Sequence, residues 1–457
     1  MEHIAAVVLA AGKGTRMKSE LVKVLHPVAG RPMIAWPVDA ARTAGAAPVV
    51  LVVGHQANAV RNTFRGATDI RCAMQEQQLG TGHAVGCARE ELAGFSGTVL
   101  ILCGDTPLLT DTTLKRLISF HRSHGASLTV LTARVDNAFG YGRVVRDQKD
   151  SVLRIVEQKD ATEEEQAICE INSGIYCMES GFLLAHIDQI SSDNAQNEFY
   201  LTDLLSIAVS KGLTCLGLRT DDADEIMGVN DRAQLAAASC ILRGRINSEL
   251  MCSGVSLTDP DHTYIDYGVS IGPDTIIHPN CSIGGETVIG CGCTIDSGVS
   301  IVGCRIGDDC HIKAGSVLEG SELHADVSIG PMAHLRPGTV LHDHVKVGNF
   351  VETKKAVMGE GSKASHLTYL GDAEIGSNVN IGCGTITCNY DGVNKHRTVI
   401  GDDVFIGSDV QLVAPVVVGR NSLVAAGTTV TVDIPPDSLA ISRTPQTNKI
   451  GWRLKKK

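Results

Sequence analysis

The chain has 457 residues, too many for one ordinary hydrophobic core, so two domains are expected. Its hydrophobic fraction is 43% with only 4% aromatics, which suits aliphatic strand cores and a narrow solenoid with little room for rings. A formal charge of -11 excludes a general nucleic-acid or membrane-surface binder, since either would need a basic field. No apolar run approaches the length of a membrane span, and Glu2 leading into IAAVVLAAGKG lacks the basic region of a signal peptide. The fifteen cysteines are scattered and form no CxxC pair, so they read as reduced thiols of a cytoplasmic protein. Cys291 and Cys293 make one CxC whose second half is missing, a pattern that reads as packing rather than zinc.

In chain order, residues 4 to 11 form the uninterrupted apolar run of a parallel strand buried on both faces. Further strands are expected at 49–53, 98–103 and 127–133, with helices over 32–44 and 111–121. The alternation predicts a doubly wound, Rossmann-like α/β domain with ligands at the carboxyl ends of its strands. The first strand enters Leu9-Ala10-Ala11-Gly12-Lys13-Gly14-Thr15-Arg16, followed by Lys23. A purely structural tight turn would also carry GxG. Here the glycines admit backbone N–H groups to a nucleotide, Arg16 offers a planar fork for phosphate oxygens, and Lys23 adds a second charge. This stretch resembles the signature of nucleotide-sugar pyrophosphorylases, although Val22 stands where that family usually has Pro.

Gln75 to His83, with Gly80 and Thr81, reads as a polar loop before a helix or as a set of neutral donors and acceptors for a uracil and its ribose. Cys103-Gly104-Asp105 then ends a buried strand in a carboxylate. Asp105 either caps the next helix or binds Mg²⁺ beside a nucleotide, where hard oxygens suit the ion and phosphates complete its shell. The pyrophosphorylase family often has Tyr in place of Cys103. Gly142 in GYGR, Glu157 in IVEQKDA and Asn172 in EINSGIY are bland singly, as a turn, a surface charge and another turn residue. Their combination and order resemble the sugar-phosphate pocket of the same family. Asn230 in GVN would return an amide oxygen to the metal opposite Asp105. A sugar 1-phosphate would then attack the α-phosphorus of UTP and expel pyrophosphate, which requires alignment and charge neutralisation rather than a protein nucleophile.

Residues 232–251 show helical spacing at Leu235, Ala238, Leu242, Ile246 and Leu250, predicting a linker helix that also lies across the first coil of the C-terminal domain and covers its open edge. The expected domains are 1–231, a linker at 232–252, and 253–457. In the last, seven isoleucines stand six apart from Ile265 to Ile301. Period six matches neither a helix nor a simple strand, but it matches a parallel β-helix of three hexapeptides per coil. The beat returns early at Ile306, Ile312 and Leu318, resets at Leu323, Ile329, Leu335, Leu341 and Val347, and resumes from Ile400 to Val430. Gly after many inward residues, as at Gly272, Gly284, Gly376 and Gly407, is expected to permit the sharp corners.

Breaks in the period gather polar, aromatic and basic residues: 349–355, KASHLTYLGD at 363–372, and an insertion at 387–397 containing CNYDG. A pyrophosphorylase domain followed by hexapeptides with these segments resembles the bacterial bifunctional family that joins an N-acetylglucosamine-1-phosphate uridylyltransferase to a glucosamine-1-phosphate N-acetyltransferase. The resemblance covers nearly the whole chain. It implies a left-handed parallel β-helix, a homotrimer, and the supply of UDP-N-acetylglucosamine to peptidoglycan and lipopolysaccharide synthesis. It further implies that His366 is the general base for the sugar ammonium, a task imidazole suits. Arg336, Lys354, Tyr369, Asn380, Asn389 and Tyr390 would hold the sugar phosphate. Cys383, Asn389, Tyr390, Ser408, Ala426 and Arg443 would line acetyl-CoA. Cys383 stands where Ala is common, which raises an acyl-cysteine route; the family implies direct transfer instead. The basic tail 451–457 reads as a solvated end or as an attractor of the CoA phosphates. Two other readings stay open: a single-activity pyrophosphorylase with a scaffolding β-helix, and a non-enzymatic regulator of similar build.

Overall fold

The computed structural model describes residues 3–453; Glu2 and positions 454–457 of the basic tail lie outside the described residues. The chain divides into two compact units, the first ending at Leu242 and the second beginning at Arg243. The division falls within the helix Arg232–Cys252, rather than at either end of the expected linker.

The first unit is built on a sheet whose strands are β1 (His3–Ala10), β2 (Val49–Val53), β3 (Ile70–Met74), β4 (Gly97–Cys103), β5 (Leu128–Arg134), β6 (Arg143–Arg146), β7 (Val152–Val156), β8 (Glu170–Glu179) and β9 (Cys215–Arg219). The order is β9-β5-β8-β4-β1-β2-β3, with β6 against β8 and β7 against β6. The apolar run of β1 explains its central place. Ala5 and Val7 join one buried cluster, Ala6 and Val8 another, so each face of the strand carries its own layer. Strand β8 departs from a purely parallel doubly wound sheet: it runs antiparallel to both β4 and β5. Its register slips between Asn172 and Tyr176, a bulge that re-aims the side chains beside Asn172.

In the second unit, strands of two to four residues stack into three parallel sheets of eleven, ten and nine strands among the described residues, forming a β-helix. Every inward position of the six-residue beat, from Ile265 through Leu335 to Val430, is buried in one continuous core. At its start Ile246 and Leu250 pack on this core, and the Asn247 amide donates to the carbonyls of Pro260 and Thr263, so the second part of the helix closes the first coil.

The glycines after inward residues do not make the corners. Gly272, Gly290 and Gly382 lack positive φ. They are small because coils stack on them: a Cβ at Gly272 would lie 2.7 Å from the Gly290 carbonyl carbon. The corners are made three residues after the inward position, where Gly268, Asp274, Asn280, Gly298 and Asp309 all have positive φ. The early returns of the beat have the same origin. After Ile301 and Leu318 the left-handed residue comes two places on, at Gly303 and Gly320, and the turn is one residue shorter.

Candidate functional site

In the first unit the carboxyl ends of β1 and β4 lie side by side, and Gly104 N–H donates to Leu9 O at 2.9 Å. The turn Leu9-Ala10-Ala11-Gly12 therefore faces Gly104-Asp105. Gly14 has φ 62°, and a Cβ there would overlap the stem of Lys23, so the glycine lets the lysine pass beneath the turn. Lys23 forms an ion pair with Asp105 and donates to Asn230 Oδ1 at 3.0 Å, while Arg16 donates to the same oxygen at 2.9 Å. The loop holding Asn230 is fixed by Val229 N–H donating to Asp105 O at 2.9 Å. Four residues named from separate parts of the sequence thus form one network. The Asp105 carboxylate and the Asn230 amide oxygen converge on one cation, the Lys23 ammonium, which is the donor set a hard divalent ion takes when phosphates complete its shell.

Gly142, Glu157 and Asn172 also converge. A Cβ on Gly142 would stand 3.4 Å from Glu157 Oε1 and 3.5 Å from Asn172 Cβ. Asn172 Oδ1 accepts from Gly174 N–H and from the Tyr176 hydroxyl, each at 3.0 Å, which orients its amide. Burial, and then the charge of Asp105, push the Tyr141 phenol up, so this pocket lies close enough to Asp105 to feel its charge. Burial pushes the Cys103 thiol up to about 12; it stays protonated and donates to Gly174 O.

Glu157 is raised above the usual carboxylate range by burial, then by Asp160, Asp203 and Glu198. A carboxyl raised by folding opposes folding once ionised: the penalty is absent below the ordinary carboxylate pKa and complete above the raised one. Glu157→Gln should therefore raise the thermal midpoint at neutral pH but not below about pH 4. Equal midpoints across this range would show that Glu157 carries no such strain.

On the other side of the turn, Gln75 with Lys13, Gly54, His55 and Gln78 lines a hollow of about 440 Å³. Gly80, at φ 110°, packs against the Phe199 backbone, and Thr81 accepts from Leu201 N–H, so its hydroxyl is already engaged.

In the second unit Asn349, His366, Cys383, Ser408 and Ala426 occupy one column, each two places after an inward residue on successive coils. Asn349 and His366 are register partners; Asp409 N–H donates to Cys383 O and Gly427 N–H to Ser408 O. Arg443 extends the column by donating to Ala426 O at 2.8 Å. At His366 the ladder slips: Gly384 N–H goes to Leu367 O, and the Thr368 hydroxyl takes His366 O. The His366 side chain is exposed and its imidazole makes no hydrogen bond among the described residues.

Arg336, Lys354 and Tyr369 stand on an adjoining face. Arg336 pairs with Glu352 at 2.8 Å, and Lys354 is register partner to Gly371. Lys354 is lowered first by Lys395, then by Arg336, so three cations crowd a spot suited to a phosphate. The sequence marks the insertion that carries Lys395 as a place where basic residues gather but does not single out the lysine, which lies outside the beat that gives other residues a phase. Asn389 donates to Asp372 at 2.6 Å, and its amide and the Tyr369 hydroxyl both lie against Gly371. Tyr390, in contrast, is exposed and its hydroxyl donates to Gly392 O. Asn380 stands apart from this group, on the sheet that carries Lys363 and Phe405.

Residues 6–167 match the MobA-like NTP transferase domain, 265–358 the GMPPB C-terminal domain, and 397–431 the bacterial transferase hexapeptide repeats. The chain is 74% identical over 457 residues, 100% of its length and 99% of the relative's, to the "Bifunctional protein GlmU" of Pelobacter propionicus. It is 64% identical over the full length of both chains to that of Geotalea uraniireducens. It is 50% identical over 98% of its length and 97% of the relative's to that of Listeria monocytogenes serotype 4b.

Proposed function

The chain belongs to the bifunctional GlmU family, and from that premise we propose how its residues divide the two activities. It makes UDP-N-acetylglucosamine by acetyl transfer from acetyl-CoA to glucosamine 1-phosphate, followed by uridylyl transfer from UTP to the N-acetylglucosamine 1-phosphate formed. The convergence of Arg16, Lys23, Asp105 and Asn230 carries the reading of the first unit.

There Gln75, Gly80 and Thr81 receive the uridine, Leu9 to Gly12 and Gly104 line the nucleotide, and Gly142, Glu157 and Asn172 hold the acetylated sugar. Mg²⁺, held by Asp105 and Asn230, would neutralise charge on the reacting phosphate. Arg16 and Lys23 align the phosphates, so that the sugar-phosphate oxygen bonds to the α-phosphorus as its bond to pyrophosphate breaks.

In the second unit Arg336, Lys354 and Lys395 hold the phosphate of glucosamine 1-phosphate, with Tyr369, Asn380, Asn389 and Tyr390 around the sugar. His366 takes the proton from the sugar ammonium. The freed nitrogen then attacks the thioester carbonyl of acetyl-CoA aligned along Cys383, Ser408, Ala426 and Arg443, and the CoA sulfur leaves.

The working form is a homotrimer of left-handed β-helices whose acetyltransferase sites are shared between neighbours. The separation of Asn380 from the Arg336 face supports this, since one chain alone does not assemble the full set. So does a ridge at one corner: Met332, Phe350 and Leu367 are 58%, 56% and 59% exposed and have positive φ, where other coils carry Gly, Asp or Asn. No helix of the described residues is long and apolar enough to cross a membrane. Cytoplasmic UTP and acetyl-CoA would place the enzyme in the cytoplasm, feeding peptidoglycan and lipopolysaccharide precursors.

The test is a mass-spectrometric assay with glucosamine 1-phosphate, acetyl-CoA, UTP and Mg²⁺, omitting each in turn. UDP-N-acetylglucosamine should form only in the full mixture, and N-acetylglucosamine 1-phosphate should accumulate without UTP. Uridylyl transfer to supplied N-acetylglucosamine 1-phosphate without acetylation would reduce the β-helix to a scaffold. No turnover of either kind would favour a regulator.

A further inference from the structure

We infer that His83 is a positioning residue that sets the base preference of the nucleotide site by locking the Gln75 amide in one orientation. The inference rests on the reading of Gln75 as a contact to the pyrimidine. Gln75 is 4% exposed, and its side-chain nitrogen lies 3.2 Å from Gly80 O and 3.0 Å from His83 Nδ1.

The carbonyl of Gly80 only accepts hydrogen bonds, so the atom facing it is the NH₂ of Gln75. One N–H goes to Gly80 and the other to His83. His83 Nδ1 must then present its lone pair, which fixes the neutral tautomer with hydrogen on Nε2. That edge faces Cys87 Sγ at 3.9 Å, and burial raises the Cys87 thiol so that it stays neutral. The ring is further held beside Phe199, with centroids 6.4 Å apart.

With both N–H bonds used, Gln75 has only Oε1 to offer a base, and Oε1 makes no hydrogen bond among the described residues. An acceptor there matches N3–H of uracil and opposes the N3 lone pair of cytosine. Without the acceptor on His83 one of the two contacts that hold the amide is lost, and reversal, which presents a donor that suits cytosine as well, is opposed by Gly80 O alone. His83 therefore acts on selectivity through Gln75 and touches no reacting atom.

The experiment compares kcat/KM for UTP and CTP, with N-acetylglucosamine 1-phosphate as acceptor, in the wild type, His83→Leu, His83→Asn and Gln75→Leu. His83→Leu should lower the UTP to CTP ratio about tenfold or more, since a misdirected polar group no longer rejects the wrong base. The change should lie in KM for UTP and leave KM for the sugar phosphate unaltered. His83→Asn presents a carbonyl oxygen near the place of Nδ1 and should keep the ratio, a rescue that a merely structural role would not produce. Should His83→Leu fail to fold, His83→Ala is read instead.

An unchanged ratio in a folded His83→Leu, or an equal loss in His83→Asn, overturns the inference. If Gln75→Leu also leaves the ratio unchanged, the reading of Gln75 as the base contact is what fails. If Gln75→Leu abolishes selectivity while His83→Leu does not, only the role of His83 fails.

Discussion

Replacing His366 with alanine should lower acetyl transfer by about 10² to 10⁴-fold, the usual contribution of a positioned general base, and leave uridylyl transfer unchanged. The argument is chemical before it is positional. Glucosamine 1-phosphate arrives with a protonated amine that has no lone pair to attack with, and an imidazole beside it can take the proton near neutrality. The exposed, unengaged His366 ring stands at the corner next to the face carrying Arg336, Lys354 and Tyr369. Cys383, one coil further along the column, is the rival nucleophile. Cys383→Ala should keep most of the acetyl transfer. If instead Cys383→Ala lost the activity and His366→Ala kept it, transfer would run through an acyl-cysteine.

Asp105→Ala should cost uridylyl transfer about 10² to 10³-fold with acetyl transfer intact, because on the proposed assignment it removes a Mg²⁺ ligand beside the reacting phosphates. The backbone of Asp105 holds the Asn230 loop through Val229, so the alanine variant keeps the loop in place and isolates the carboxylate. Its signature is a changed metal requirement: at any Mg²⁺ concentration that saturates the wild type, the variant should remain unsaturated. A wild-type Mg²⁺ titration in Asp105→Ala would put the metal elsewhere.

Much of this architecture can be read from the residues because two of its devices are periodic. Burial on both faces of β1 follows from an unbroken apolar run, and the core of the β-helix follows from a six-residue beat whose every inward position is buried. Strand direction leaves no such mark, so the antiparallel course of β8 and the bulge that sets Asn172 are not visible in the sequence. The corner glycines mislead for a related reason. A small residue after Ile271 looks like a turn in sequence, but only the next coil, pressed against Gly272, shows why it is small. Arg16, Lys23, Asp105 and Asn230 can be named individually. That the lysine stands between the two proposed metal ligands depends on Gly14 leaving room for its stem, a three-dimensional fact.

The column of His366, Cys383, Ser408 and Ala426 makes the β-helix a ruler. Each coil advances the column by one inter-strand spacing, so its four residues mark out about 14 Å at even intervals. On the proposed assignment a long, flexible ligand laid along them would be measured against graduations in rigid backbone, and its reactive end would fall at the His366 mark only when its length fits. Adding or deleting a whole coil between His366 and Arg443 would leave the hydrophobic core in register while shifting the scale, separating a stable fold from a matched one.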